Sequence, residues 1–249
     1  MCPVRGLPEV RPGDDLARIV AEGLPGCGLE LRAWDVVVVT HKVVSKSEGA
    51  LVDLRTVRPS PEAVDLAERV GGDPRLVEVV LGESRRVLRA APGVLVCETV
   101  GGLVCANAGI DRSNVPGAAV VTLLPRDPDA SAARLRAAWL PAAGGGPLGV
   151  VVSDSFGRPF REGQVNVAIG VAGMPSLTDH RGLPDADGRL MSASVLASAD
   201  EIASAAELVM GKVERVPVAL VRGLRWEGEG EGSGAAALQR DPAHDLFRR

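Results

Sequence analysis

Val94-Leu-Val-Cys-Glu-Thr-Val-Gly-Gly-Leu-Val-Cys-Ala106 decides the fold class of this chain. Two short Val-rich runs, 94–99 and 103–106, flank Val100-Gly-Gly102, the pattern of a β-hairpin. A hairpin pairs antiparallel neighbours and so interrupts the strand–helix alternation of a doubly wound parallel sheet. Working outward, further strands are predicted at 35–39, 118–123, 149–153, 165–172 and 216–221, with 189–197 leaning towards strand. Helices are predicted from Asp14-Asp15 to Leu24, from Ser60-Pro61 to Gly71-Gly72, and from Asp73-Pro74 towards Ala90. A fourth is capped by Asp129 and runs through Leu140, and a fifth covers 200–210 and stops at Gly211. Hairpins mixed with helices, with no repeated βαβ unit, predict an α+β fold. The Gly-rich segment 142–147 reads as a hinge between two lobes. A tail over 226–249 turns Gly/Glu/Ser-rich at 227–234 and is expected to be mobile, with 245–249 docking.

Composition excludes several classes of function. The chain of 249 residues has a net charge of −4, no Tyr and few other aromatics, a poor platform for stacking nucleic-acid bases. No apolar run approaches the ~20 residues of a membrane span, and the start lacks the apolar core of a signal peptide. Cys2, Cys27, Cys97 and Cys105 have neither metal-type nor secreted-framework spacing, so a reducing, cytoplasmic setting is expected.

The hairpin leads directly into Asn107-Ala-Gly-Ile-Asp-Arg-Ser-Asn114, and a second Val run leads into Ser153-Asp-Ser-Phe-Gly-Arg-Pro-Phe-Arg-Glu-Gly163. Each is expected to set an Asp in a Gly-containing loop at a strand end. Asp111 reads either as a turn residue bonded to its own backbone or as a metal ligand. Asp154 follows a buried strand and needs a partner for its charge, either a cation shared with Asp111 or a salt bridge to Arg158 or Arg161. Ser155 adds a hydroxyl, and the two arginines suit phosphate or carboxylate. Lys42 and Lys46, four residues apart after the Val36–Val39 run, read as phosphate contacts or as ordinary edge lysines. Carboxylates, a hydroxyl and cationic side chains together suit a hard divalent cation plus phosphate oxygens. The standard phosphate loops, GxxxxGK[ST] and GxGxxG, are missing.

Six segments together resemble the coenzyme F420-0:L-glutamate ligases, GTP-dependent enzymes that add γ-linked glutamates to the deazaflavin coenzyme F420. They are Gly6-Leu-Pro-Glu-Val10, Val44-Ser-Lys-Ser-Glu-Gly49, Glu83-Ser-Arg-Arg-Val-Leu88, Val104 to Asn114, Ser153-Asp-Ser-Phe-Gly-Arg158 and Pro217-Val-Ala-Leu-Val-Arg-Gly223. They fall in the family's order over residues 6–225, and the stretch Asn107 to Asn114 is the specific one. The resemblance implies a two-lobed fold forming an intertwined homodimer. It also implies GTP, F420-0 and L-glutamate as substrates, with two divalent cations (Mn²⁺ or Mg²⁺) and a K⁺ ion. By position it makes Asp111, Asp154 and Ser155 metal ligands. Leu7, Pro8, Glu9, Val10, His41, Lys42, Lys46, Asn114 and the run Met210, Gly211, Lys212, Val213, Glu214, Arg215, Val216 match nucleotide contacts. Arg158 and Arg161 remain candidates for substrate or phosphate.

One departure concerns the second cation. Relatives carry an acidic ligand after the Met-Gly pair, where this chain has Lys212. Either Glu214 substitutes, or Lys212 neutralises phosphate in place of a cation. The expected reaction passes through an acyl phosphate and extends a γ-linked polyglutamate tail. The alternative is a metal-dependent nucleotide phosphohydrolase or another carboxylate–amine ligase on the same site, and a non-enzymatic nucleotide sensor ranks below both.

Overall fold

The computed structural model describes residues 1–113, 117, 119–227 and 234–246. The first elements are β1 (Cys2–Val4), α1 (Leu16–Gly23), β2 (Asp35–Thr40), α2 (His41–Ser47) and β3 (Leu51–Asp53). Next come α3 (Pro61–Val70), α4 (Pro74–Gly82), β4 (Ser84–Ala91), β5 (Val94–Thr99), β6 (Val104–Ala106) and β7 (Val120–Thr122). Then follow α5 (Pro128–Trp139), β8 (Leu148–Arg158), β9 (Arg161–Ala172), β10 (Thr178–Asp179), β11 (Val195–Leu196), α6 (Ser198–Met210) and β12 (Val218–Val221).

A five-stranded sheet in the order β1-β12-β2-β8-β9 forms the centre. Only β2 and β8 are parallel neighbours in it. The unbroken valines of β2 explain its central place, because a strand covered on both faces needs apolar residues at every position. Val37 and Val39 point into a core shared with Leu16 and Val20 of α1 and Leu135 and Trp139 of α5. Val36 and Val38 point the other way, towards Ala199, Ala203 and Ala206 of α6.

A second core gathers Leu54, Leu66, Val77, Val80, Leu95, Cys97, Ile110 and Val121 from the segment between α2 and α5. There α3 and α4 pack beside the β4-β5-β6 sheet, and β3 pairs with β7. The mixed α+β composition agrees with the sequence reading. The segment 142–147, expected as a hinge, joins α5 to β8, and its Ala143 is buried in the first core with both of them.

Several local expectations are corrected. The helix opened by Asp73-Pro74 ends at Gly82, and Ser84–Ala91 is a strand paired with β5. Ladder hydrogen bonds to the hairpin outweigh helix propensity there. Asp127, rather than Asp129, caps α5 by accepting from the Ala130 amide at 2.9 Å. Asp154 to Arg158 are not in a loop, since β8 continues to Arg158 and turns directly into β9. Within 189–197 only Val195–Leu196 is strand. The tail is partly seated, with Ala235 buried against the α6 face of the sheet and its amide bonded to Asp129 Oδ1 at 2.8 Å. Most of the stretch expected to be mobile, 228–233, and the end of the tail, 247–249, lie outside the described residues.

Candidate active site

The parallel register sets Thr40 opposite Ser153, so the next residue of each strand, His41 and Asp154, emerges at the same carboxyl-terminal edge. Such edges of parallel strands are where open α/β sheets commonly place ligands. His41 is 1% exposed, and its Nε2 lies 3.2 Å from Asp154 Oδ1. Lys42 follows at once on α2 and turns towards the second core. Its Nζ sits 2.6 Å from Asp111 Oδ2 and donates to Ser113 Oγ at 2.5 Å. Asp111 is held in place by a backbone bridge to Thr122, next to the second core. Two consecutive residues thus hold the two aspartates that the sequence singled out, and the separate motifs converge on one helix start.

Lys46, a turn further along α2 and buried, pairs with Glu9 Oε1 at 2.5 Å. This contact brings the segment from Leu7 to Val10 to the same helix, with Val10 anchored in the first core and Leu7 packed against it. Asn114 lies outside the described residues. Arg158 occupies the β8–β9 turn, where its guanidinium donates to the Glu162 carbonyl at 2.5 Å, and Arg161 pairs with it across the turn. Arg158 lies four steps along the strand from Asp154, roughly 13 Å at the usual rise. Asp154 Oδ1 accepts from the Ser155 amide at 2.6 Å and lies beside His41, and the alternative of a salt bridge to Arg158 or Arg161 is absent from the ion pairs of the described residues.

Ser155 heads a second polar group. Its hydroxyl donates to Asn166 Oδ1 at 2.7 Å, and Asn166 Nδ2 donates to Glu207 Oε2 at 2.8 Å. Lys212 Nζ donates to Ser155 Oγ and lies 3.3 Å from Glu207 Oε1. Met210 and Val216 are buried on the α6 side of the sheet. Gly211 and Arg215 both have positive φ and shape the turn between them. Glu214 accepts from the Val213 amide at 3.0 Å and bends back over Gly211. The carboxylate beside Ser155 is therefore Glu207, on α6, and not Glu214. Glu207 and Asn166 escaped the sequence reading. The only signal for them was a polar residue at a buried position of β9 and a carboxylate in the last turns of an Ala-rich helix.

Electrostatics mark the same place. Burial pushes the Asp111 carboxyl up, but hydrogen bonds from Lys42 and the Ser113 amide, with the Lys42 charge, hold it below the ordinary value. The Cys105 thiol is pushed up to about 12 by burial, then by the Asp154 carboxylate and Cys97. Buried polar atoms are normally paired. Here both ring nitrogens of His41 and the hydroxyls of Ser45, Thr122 and Ser153 have no aligned hydrogen-bond partner. These orphans surround α2 and the two aspartates.

Among the described residues no three His, Cys, Asp or Glu side chains cluster as a metal cage. One or two carboxylates with orphaned hydroxyls fit Mg²⁺ or Mn²⁺ shared with substrate phosphates, which needs few protein ligands. No helix among the described residues is long and apolar enough to cross a membrane.

Comparison with known proteins agrees with this picture. The model of the F420-0:Gamma-glutamyl ligase family matches residues 6–223. The Coenzyme F420:L-glutamate ligase of Methanopyrus kandleri is 49% identical, over 96% of this chain and 94% of its own length. That of Methanothermobacter thermautotrophicus is 46% identical over 98% and 97%, and that of Haloarcula marismortui 42% over 99% and 94%. With a match that spans nearly the whole chain and includes both aspartate motifs, the protein belongs to the F420-0:gamma-glutamyl ligase family.

Proposed function

We propose that this chain joins L-glutamate to coenzyme F420-0 at the expense of GTP, as a homodimer in coenzyme F420 biosynthesis. The observation that carries the reading is the attachment of His41 and Lys42 to Asp154 and Asp111 at one strand edge. A carboxylate resists attack by an amine, so the terminal carboxylate of F420-0 first takes the γ-phosphoryl group of GTP. The C–O–P bond forms as the β,γ-bridging bond breaks, and GDP leaves. The glutamate amine then attacks the acyl carbon, an amide bond forms, and inorganic phosphate departs with the acyl oxygen.

Asp111 and Asp154 would hold the divalent cation, which when bound offsets charge on the triphosphate. Lys42 and Lys46 lie one helical turn apart along the same face and place two ammonium groups beside the phosphates. The Ser155 amide, donating to Asp154 Oδ1 at 2.6 Å, fixes that carboxylate's orientation beside the buried His41. Repeated rounds extend the γ-linked tail.

Purified protein given F420-0, GTP, Mn²⁺ and glutamate should yield product heavier by one or more glutamyl units in mass spectra. With glutamate left out and hydroxylamine supplied, the acyl phosphate should be trapped as a hydroxamate. Phosphate release that proceeds equally without F420-0 would refute the ligase reading in favour of a phosphohydrolase.

A further inference from the structure

The oxygen atoms around Ser155 are those a hard cation would choose, yet an ammonium already sits among them. Lys212 Nζ donates to Ser155 Oγ and faces Glu207 Oε1 at 3.3 Å. The Ser155 proton is committed to Asn166 Oδ1, so an oxygen lone pair is what Lys212 uses. Asn166 is fixed in turn by its amide donating to Glu207 Oε2 at 2.8 Å. The network is closed. A divalent ion coordinated by Ser155 would have only the one lone pair that Lys212 leaves and would be repelled by its charge. Asp111 is also paired with an ammonium, but its carboxylate keeps further lone pairs for a divalent cation, as does that of Asp154, whereas the neutral Ser155 hydroxyl beside Lys212 does not fit one.

We propose that Lys212 is a tethered cation. Its ammonium takes the place of a second divalent ion at Ser155 and presents a fixed positive charge to the nucleotide phosphates. The left-handed turn at Gly211, directly after α6, lets the chain double back so that Lys212 reaches Ser155. Its side chain is 56% exposed, so the ammonium has an open side for an anion. The inference rests on the phosphate-handling reading above, and it sets how many free ions that site needs.

The test is a count of bound Mn²⁺ per protomer, by equilibrium dialysis and electron paramagnetic resonance, on folded protein without nucleotide. Wild type should bind one ion, lost in Asp154→Asn. Lys212→Gln should bind two, and the second should vanish when Glu207→Gln is added. Lys212→Arg, which keeps the charge, should return the count to the wild-type value. Two ions in wild type, or an unchanged count in Lys212→Gln with a native circular dichroism spectrum and unfolding midpoint, would overturn the proposal. Should wild type bind no ion, the assignment at Asp111 and Asp154 fails, while a gain of one in Lys212→Gln still supports the tethered cation.

Discussion

Replacing Lys42 by Met keeps the aliphatic stem and removes the charge that faces Asp111. The two side chains are 23% and 33% exposed, between a surface pair and a fully buried one. A surface pair contributes about 0–1 kcal/mol, and breaking a buried one costs about 3–5 kcal/mol. A loss of roughly 1–2 kcal/mol at pH 7 is therefore expected, at the lower end of that interval because solvent screens the pair. The pH dependence has a definite sign. The folded Asp111 carboxyl lies below its ordinary value, so the pair's stabilisation is present above the unfolded value of about 3.9 and is lost as pH falls through the folded one.

Urea unfolding followed by Trp fluorescence should show the full Lys42→Met penalty at pH 7 and a shrinking one below about pH 4. Cation binding should move oppositely. The Lys42 ammonium competes for the oxygen that a divalent ion needs, so equal Mn²⁺ should raise the melting temperature of Lys42→Met more than that of wild type. A penalty independent of pH, together with equal Mn²⁺-induced shifts in both proteins, would refute the reasoning.

Other expectations follow from single contacts. Asp154→Asn should lower GDP formation by roughly 10²-fold or more while circular dichroism stays native, the scale seen when one preorganised electrostatic group is lost. Arg222→Met removes the counter-charge of the fully buried Asp35, which accepts from Arg222 Nε at 2.7 Å and Nη2 at 2.8 Å and would keep only the Arg32 amide, and should cost about 3–5 kcal/mol in chemical unfolding. Gly170→Ala drives a methyl group into the Pro128 carbonyl at the start of α5 and should destabilise by about 1–3 kcal/mol or more, read as a lower melting temperature. Cys105, with its thiol pushed up to about 12, should resist alkylation at pH 8 in the native state while Cys2 and Cys27, both partly exposed, react first under mass spectrometric readout.

The parts of this fold legible in the sequence are those where one local signal dominates. The valines of β2 and β8 could only be central strands, and Gly101-Gly102 could only turn the β5–β6 hairpin. Asp15, Ser60 and Asp73 cap the helices they announced. What failed was decided by distant partners. Before Ser84–Ala91 the only stop signal is the single Gly82, which a helix interior can tolerate, and the β5 ladder makes the stretch strand. Helix α2 begins directly after β2 at Thr40, whose side chain makes no capping bond, so no start signal marks it. Asp111 and Asp154 were visible as motifs because each is a charge beside an apolar run. Glu207 and Asn166 matter only through Ser155, a relation between β8, β9 and α6 that no spacing encodes.

The adjacency of His41 and Lys42 makes α2 the keystone of the molecule. One residue lies against a carboxylate on the central sheet, and the next pairs with a carboxylate beside the second core. If the proposed chemistry resides here, it depends on the central sheet and the second core both meeting a single helical turn, and loosening that joint would cost cohesion and activity together.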